Sequence, residues 1–238
     1  AQESFPEAIG GAQRNKDRWL LADAKMEFAG LLFSRQLMHR SLGNFFEAKE
    51  IYLKLDAPQE LVLATMGVAR TQYHRGNYRN SLRNFLEAVT LAKKTGMTDA
   101  ESEASEYLGL LYNVTQNFSA GISYFRRSLE IKNKTGDVKG VIRMANKLSE
   151  MYYDRRGFDS SLYFASIALE GAESMNLRTD IYQARLAKTA SLIRQQKWDA
   201  ASSELSRLEK TARELRVDVN FFVRFHVMKG NFYLSKKD

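Results

Sequence analysis

The chain has 238 residues, 44% of them hydrophobic, with no cysteine and a formal net charge of +8. Without cysteine there is no disulfide framework, no thiolate nucleophile and no cysteine metal site, and no apolar run approaches the ~18 residues of a membrane span, so these residues do not insert into a membrane by themselves. The basic balance suits an acidic partner, an anionic surface or nucleic acid, but the cations are dispersed in pairs such as Lys93-Lys94, Arg126-Arg127, Arg155-Arg156 and Lys236-Lys237, a pattern of solvated surface that weighs against a nucleic-acid track.

Residues 1–16 contain Pro6, Gly10-Gly11 and little periodicity, which predicts a flexible N-terminal segment. The start Ala-Gln-Glu-Ser lacks an initiator methionine and looks like the residue after a removed secretory signal, or an arbitrary cut. The first reading places the chain in a bacterial periplasm or cell envelope; the second leaves the cytoplasm open. From Trp19 to Arg40 apolar residues recur at helical spacing, and Trp19, Met26, Phe28, Phe33 and Met38 are expected to pack in a first hairpin over 19–57. Gly43-Asn44-Phe45, followed by Ala48, Tyr52 and Leu55, reads as the turn and second helix of that hairpin. Phe45 precedes Tyr78 by thirty-three residues, so this first unit is expected to be short.

Beyond it the chain is periodic. Tyr78, Phe118, Phe158 and Trp198 stand forty residues apart, and a fixed period of this size signals stacked supersecondary units. Three residues after each aromatic comes a small residue (Ser81, Gly121, Ser161, Ala201), and four further on Phe85, Phe125, Ala165 or Leu205. These spacings put the side chains on one buried helical face. A short polar break precedes each aromatic, as in Arg75-Gly76-Asn77 and Arg155-Arg156-Gly157, and predicts a tight helix-to-helix turn. Each unit is therefore a helical hairpin, with boundaries near 59–95, 98–135, 138–175 and 178–215, and a final half-unit over 218–238. The joins Gly96, Gly136, Asn176 and Arg216 also recur every forty residues; Gly and Asn accept the positive φ that ends a helix, while Arg accepts it with strain, so the last join should be the least regular. The only prolines are Pro6 and Pro58, and no strand pattern occurs. In the final half-unit Phe222, Phe225, Phe232 and Tyr233 need cover, which suggests that the natural protein continues past Asp238, into a membrane segment and an output domain.

The segment Ser105 to Ser128, with Leu108-Gly109, Tyr112, Asn117-Phe118, Gly121 and Phe125, resembles the tetratricopeptide repeat, with Ser105 in place of the opening aromatic. Neighbouring units keep Val68-Ala69, Ser81, Phe85 and Ala88, or Leu148-Ser149, Tyr152, Ser161 and Ala168. The period of forty rather than thirty-four, and the missing unit-end proline, are similar to a longer subclass found in peptide-binding regulators and bacterial signalling proteins. The resemblance covers residues from about Trp19 to the end. It implies an all-α fold, a right-handed α-solenoid of antiparallel hairpins forming a single array over 17–238, whose concave groove is lined by first-helix residues.

Counting back from each turn, the groove candidates are Arg70, Tyr73 and His74; Glu106 and Asn113, with Glu103 and Leu110; Arg143, Asn146, Lys147, Glu150 and Tyr153, with Asp154; and Arg194, with Gln183, Ala190 and Ile193. A carboxylate-clamp groove, as the family offers, needs Lys, Asn and Arg on successive first helices. Arg143 and Lys147 fit, but Met66, Arg70 and Tyr107 stand at the other positions, so a mixed polar groove is expected instead.

Catalytic and metal signals are missing from the sequence. His39, His74 and His226 fall in different units without ligand spacing, and there is no GxSxG, phosphate-cradling loop or dinucleotide fingerprint. Three sequons, at Asn113, Asn117 and Asn133, crowd one unit, and Asn113 and Asn117 are explained as helix-end and turn residues. The expectation is a non-enzymatic scaffold without cofactor or metal, binding a protein or peptide segment of acidic character. The alternative is the extracytoplasmic ligand-sensing region of a bacterial signal-transduction regulator or receptor kinase, in which summed rotations of stacked units carry the signal.

Overall fold

The computed structural model describes residues 4–215 and 219–236, with side chains described for residues 5–211 and 222–236. The described residues form helices and the turns between them: α1 (Ser4–Arg14), α2 (Arg18–Ser34), α3 (Met38–Lys54), α4 (Pro58–His74), α5 (Tyr78–Thr95), α6 (Thr98–Val114), α7 (Phe118–Thr135), α8 (Val138–Asp154), α9 (Phe158–Ser174), α10 (Arg178–Arg194), α11 (Trp198–Leu215) and α12 (Val219–Ser235). The chain is an all-α solenoid of antiparallel helical hairpins. It divides into two compact units between Tyr124 and Phe125, within α7.

The period is set by the turns. Among the described residues positive φ occurs at Lys16, Gln36, Asp56, Gly76, Gly96, Gln116, Gly136, Arg156, Asn176 and Gln196, one every twenty residues. At each, the N–H of the following residue donates to the carbonyl five positions before it, and at most of them the residue's own N–H donates to the carbonyl three before. At Gly76, for example, its own N–H donates to the Tyr73 carbonyl and the next N–H, of Asn77, donates to Gln72, both at 2.9 Å; at Arg156 the equivalent bonds reach Tyr153 (2.9 Å) and Tyr152 (2.8 Å). A left-handed residue thus satisfies two of the carbonyls that a helix end leaves unpaired. At Gly76, Gly96 and Gly136 an added Cβ would meet nothing within 4 Å, so glycine there relieves backbone conformation alone. Arg216 lies outside the described residues.

The first hairpin corrects the sequence reading. Its turn is at Gln36, φ 60°, and α3 runs from Met38 through Gly43-Asn44-Phe45 without a break. Met38 therefore precedes Tyr78 by forty residues, and the first unit is full length. Phe45 is the counterpart of Phe85 and Phe125, and all three are buried. Gly and Asn inside a helix each cost roughly 0.7–1 kcal/mol relative to alanine; burial of Phe45, Ala48 and Tyr52, with roughly 1.5–3 kcal/mol for a large apolar side chain, outweighs it. Gly67 on α4 makes room: a Cβ there would lie 2.5 Å from the Phe45 ring.

Part of the segment expected to be flexible is ordered. Residues Ser4–Arg14 are helical, because the apolar residues on α1 find partners: Phe5 stacks on Phe28 at 5.5 Å and Ala12 is buried. Pro6 falls in the first turn, where its missing donor is not needed.

Within each hairpin the small residue three positions into the second helix lets the pair approach. Ser41, Ser81 and Ser161 are fully buried and donate across the hairpin to the carbonyls of Ala29, Ala69 and Ser149, each at 2.9 Å. In the first unit the principal core gathers Val62, Phe85, Ala88, Ala104, Leu108 and Leu111. In the second, one cluster joins Ile142, Ala168 and Ala184 and another joins Tyr182, Leu208, Phe225 and Phe232. The second unit also buries Glu204 of α11, which meets Arg185 at 3.0 Å, Lys188 at 3.1 Å and Arg207 at 3.6 Å.

Of the half-unit residues, Phe225 and Phe232 are 3% exposed, packed against α10 and α11, whereas Phe222 and Tyr233 stay in solvent. Trp19, expected in the core, is also largely exposed.

Candidate functional site

The groove candidates divide between the two units. In the first, α4 carries Arg70, Tyr73 and His74 and α6 carries Glu106 and Asn113. The aromatic residues there pack on one another: Tyr73 meets Tyr107 at 5.3 Å and Tyr78 at 5.7 Å, and Tyr107 stacks on Phe85 at 4.7 Å. Arg70 lies over the Phe33 ring at 5.0 Å and reaches Glu103 at 3.5 Å, while His74 sets an edge against Phe33 at 5.2 Å. Burial pushes the Tyr73 hydroxyl above its ordinary value, with the Tyr78 hydroxyl adding to it. Burial raises Tyr107 likewise, against the opposing charge of Arg70. Glu106 is half-buried on α6, and Asn113 is exposed near its end.

The second unit brings its candidates together. Asn146, Lys147, Glu150, Tyr153 and Asp154 of α8 and Gln183, Ala190, Ile193 and Arg194 of α10 line a single open cavity of about 820 Å³. A second cavity of about 470 Å³ continues it toward the helix N-termini, adding Lys139, Arg143 and Asp180 and sharing Asn146, Lys147, Glu150 and Gln183. Arg143, Asn146, Lys147, Glu150, Tyr153 and Arg194 are thus neighbours along one groove.

Three features fix its form. Asp137 caps α8, its Oδ1 accepting from the Gly140 N–H at 2.9 Å and its Oδ2 from Lys132 at 3.1 Å; the first bond, and then Lys132, hold its carboxyl below the usual range. A Cβ at Gly140 would meet the Asp137 carboxylate and the Lys132 side chain, so any larger residue would displace the cap. At the far end Tyr153 meets Phe158 edge-on at 5.5 Å, and Arg194 lies over the same ring at 5.4 Å, a cation–π contact that orients the guanidinium at the rim. Ser149 and Ser161, which line the cavity, form a buried hydroxyl chain with Ser191, with Ser149 and Ser161 3.1 Å apart and Ser191 donating to Ser161 at 2.9 Å. Partial burial, and then the charge of Glu150, push Asp154 above the usual carboxylate range.

The third wall was missed by sequence reasoning. Val223, Arg224, Val227, Met228, Asn231 and Ser235 of α12 close the larger cavity. The signal was present: Val223 and Val227 stand forty residues after Gln183 and Ala187, and eighty after Arg143 and Lys147. Among the described residues no helix is long and apolar enough to cross a membrane.

No family model matches the sequence, and no curated protein matches it. Solved structures do match in fold. The structure of BtubC (BKLC) from P. vanneervenii is similar at a TM-score of 0.74 and 16% identity, over 91% of each chain. A signal transduction ATPase with numerous domains and a tetratricopeptide repeat sensor, from Pyrococcus horikoshii, gives 0.78 at 15% identity; the match covers 92% of this chain and 35% of that one, so this chain spans about a third of its length. YrrB, described as a tetratricopeptide protein with an unusual peptide-binding site, gives 0.65 at 16% identity over 96% of this chain and all of that one. At these identities the likeness is one of fold, and the fold is tetratricopeptide-like.

Proposed function

We propose that the protein is a non-enzymatic scaffold that binds a peptide or protein segment in the groove of its second unit. The observation that carries this reading is the continuous cleft between α8, α10 and α12, in which Asn146, Lys147, Glu150 and Gln183 belong to both cavities. Preformed concave sites of roughly 300–1,000 Å³ are the usual form of ligand pockets. The walls are regular helices, so the side chains are held before binding and the segment bears most of the ordering cost. Asn146 and Gln183 present amides to a peptide backbone, and Tyr153 with Arg194 offers a ring and a cation to its side chains. The peptide-binding site described for YrrB, which shares the fold, is consistent with this use.

A displayed random-peptide library panned against the full chain, with affinities of the enriched peptides measured by fluorescence anisotropy, tests the reading. Substituting Arg143→Ala and Tyr153→Ala together should weaken the enriched peptides at least tenfold. Unchanged affinity would move the binding surface elsewhere, and turnover in a hydrolase or transferase screen would overturn the non-enzymatic assignment.

A further inference from the structure

Charge is unevenly distributed along the α8 wall of the groove in the second unit, where Lys139, Arg143 and Lys147 precede Glu150 and Asp154. Toward the N-termini of α8 and α10, Lys139, Arg143 and Lys147 share the cavity with two acids, Asp180 and Glu150. Arg224 of α12 lines the larger cavity, near enough to Tyr182 for its charge to act on the hydroxyl. Toward the C-termini, Glu150 and Asp154 stand one turn apart on α8, with Arg194 opposite. Lys147 reaches Glu150 at 3.5 Å and marks the boundary between the two ends. The backbone reinforces the asymmetry, because the partial charge of a helix is positive at its N-terminus and negative at its C-terminus. Partial burial, and then the neighbouring charge of Glu150, hold the Asp154 carboxyl above its ordinary range.

The apolar contribution comes from the side opposite α8. Val223 and Val227 are more than half exposed and lie one turn apart on α12. Between the walls Ala187 and Ala190 give a floor of small side chains, over which a ligand backbone can approach closely.

On the reading that this groove binds a peptide, we propose that its ligand is a charge-segregated segment: acidic residues seat against Arg143 and Lys147, a basic residue seats against Glu150 and Asp154, and aliphatic side chains rest on Val223 and Val227. Arg143 and Asp154 are eleven positions apart on one helix, or about 16 Å along its axis at ~1.5 Å per residue. An extended ligand covers that distance in about five residues at ~3.3 Å each. The ligand therefore carries its acidic and basic groups about five positions apart, and the groove fixes which way it lies.

Random 16-residue peptides displayed on phage and panned against the full chain are the probe, repeated on two variants whose melting curves show them folded: Arg143→Glu with Lys147→Glu, and Glu150→Lys with Asp154→Lys. Wild-type selection should enrich peptides with Asp or Glu about five positions from Lys or Arg and aliphatic residues between. Each double reversal should weaken those peptides at least tenfold and, when panned itself, change the preferred charge at one end of the ligand only. Enriched peptides that depend on Tyr153 but show no charge segregation would overturn this proposal and leave the groove reading standing. Recovery of no peptide, or of peptides indifferent to Tyr153 and to both reversals, would overturn both.

Discussion

Arg156 adopts φ 60° where its counterparts Gly76 and Gly136 adopt 75° and 73°. A side chain in the left-handed region costs roughly 1–2 kcal/mol, while glycine gives back roughly 0.4–1 kcal/mol through the freedom of the unfolded chain. Arg156→Gly should therefore raise stability by about 0.5–1 kcal/mol, and Gly136→Ala should lower it by a similar amount, as read from urea midpoints. Asp137 supplies a pH-dependent test at the same scale. Its carboxyl is held low by the Gly140 N–H and then by Lys132, so the folded state favours the ionised form. That stability is complete above the ordinary aspartate value of about 3.9 and is lost as pH falls through the lower folded value. Asp137→Asn retains a capping oxygen but does not titrate. The stability advantage of the natural residue should therefore be constant from pH 7 to about 5 and shrink as pH falls below about 4, measured by paired denaturant titrations.

Helices are held together by two different kinds of contact, and the sequence revealed one better than the other. Apolar periodicity and the recurring small residues placed the hairpins from Tyr78 onward, because a helix that stacks on its neighbours needs the same face in every unit. It misplaced the first turn because Gly43-Asn44 has the composition of a break, and only the burial of Phe45 against Gly67 shows that the helix continues through it. It missed α1 because a short helix of mixed composition is stabilised by what it packs on, here Phe28. The ionic contacts were not legible at all, since Glu204 meets Arg185 from nineteen positions away. With Glu204 buried among Arg185, Lys188 and Arg207, Glu204→Ala removes charge-assisted bonds to Arg185 and Lys188, while Arg185 keeps its pair with Glu173, and should cost about 2 kcal/mol. Glu130→Ala, which removes only surface pairs with Arg127 and Lys134, should leave the thermal midpoint unchanged.

For the molecule as a whole, each unit has its own core, and one of the two tryptophans lies in each: Trp19 on α2 and Trp198 on α11. Repeat architectures sum local stabilities and nearest-neighbour terms, and long arrays depart from a single all-or-none transition. Urea unfolding followed by fluorescence in Trp19→Phe and in Trp198→Phe should give midpoints that differ from each other, whereas coincident curves would mean that the chain unfolds as one cooperative block. The location of the groove was partly legible for the same reason. The rule that first helices face inward identified α8 and α10, and the forty-residue offset, extended once more, identifies α12. What no offset shows is that Tyr73 and Tyr107 pack on one another in the first unit, because that depends on which side chains happen to meet.

The left-handed residues that recur at every twentieth position also determine which lengths can be cut from the chain. Deleting Asp137 to Asn176 joins Gly136 to Leu177, so one such residue stands where another stood, and α10 enters at the angle that α8 had. Deleting half that length would bring in a helix running the opposite way, and deleting a single residue within a helix would turn every side chain beyond it by about 100°. The molecule can therefore be shortened or lengthened by whole hairpins far more readily than by any smaller step.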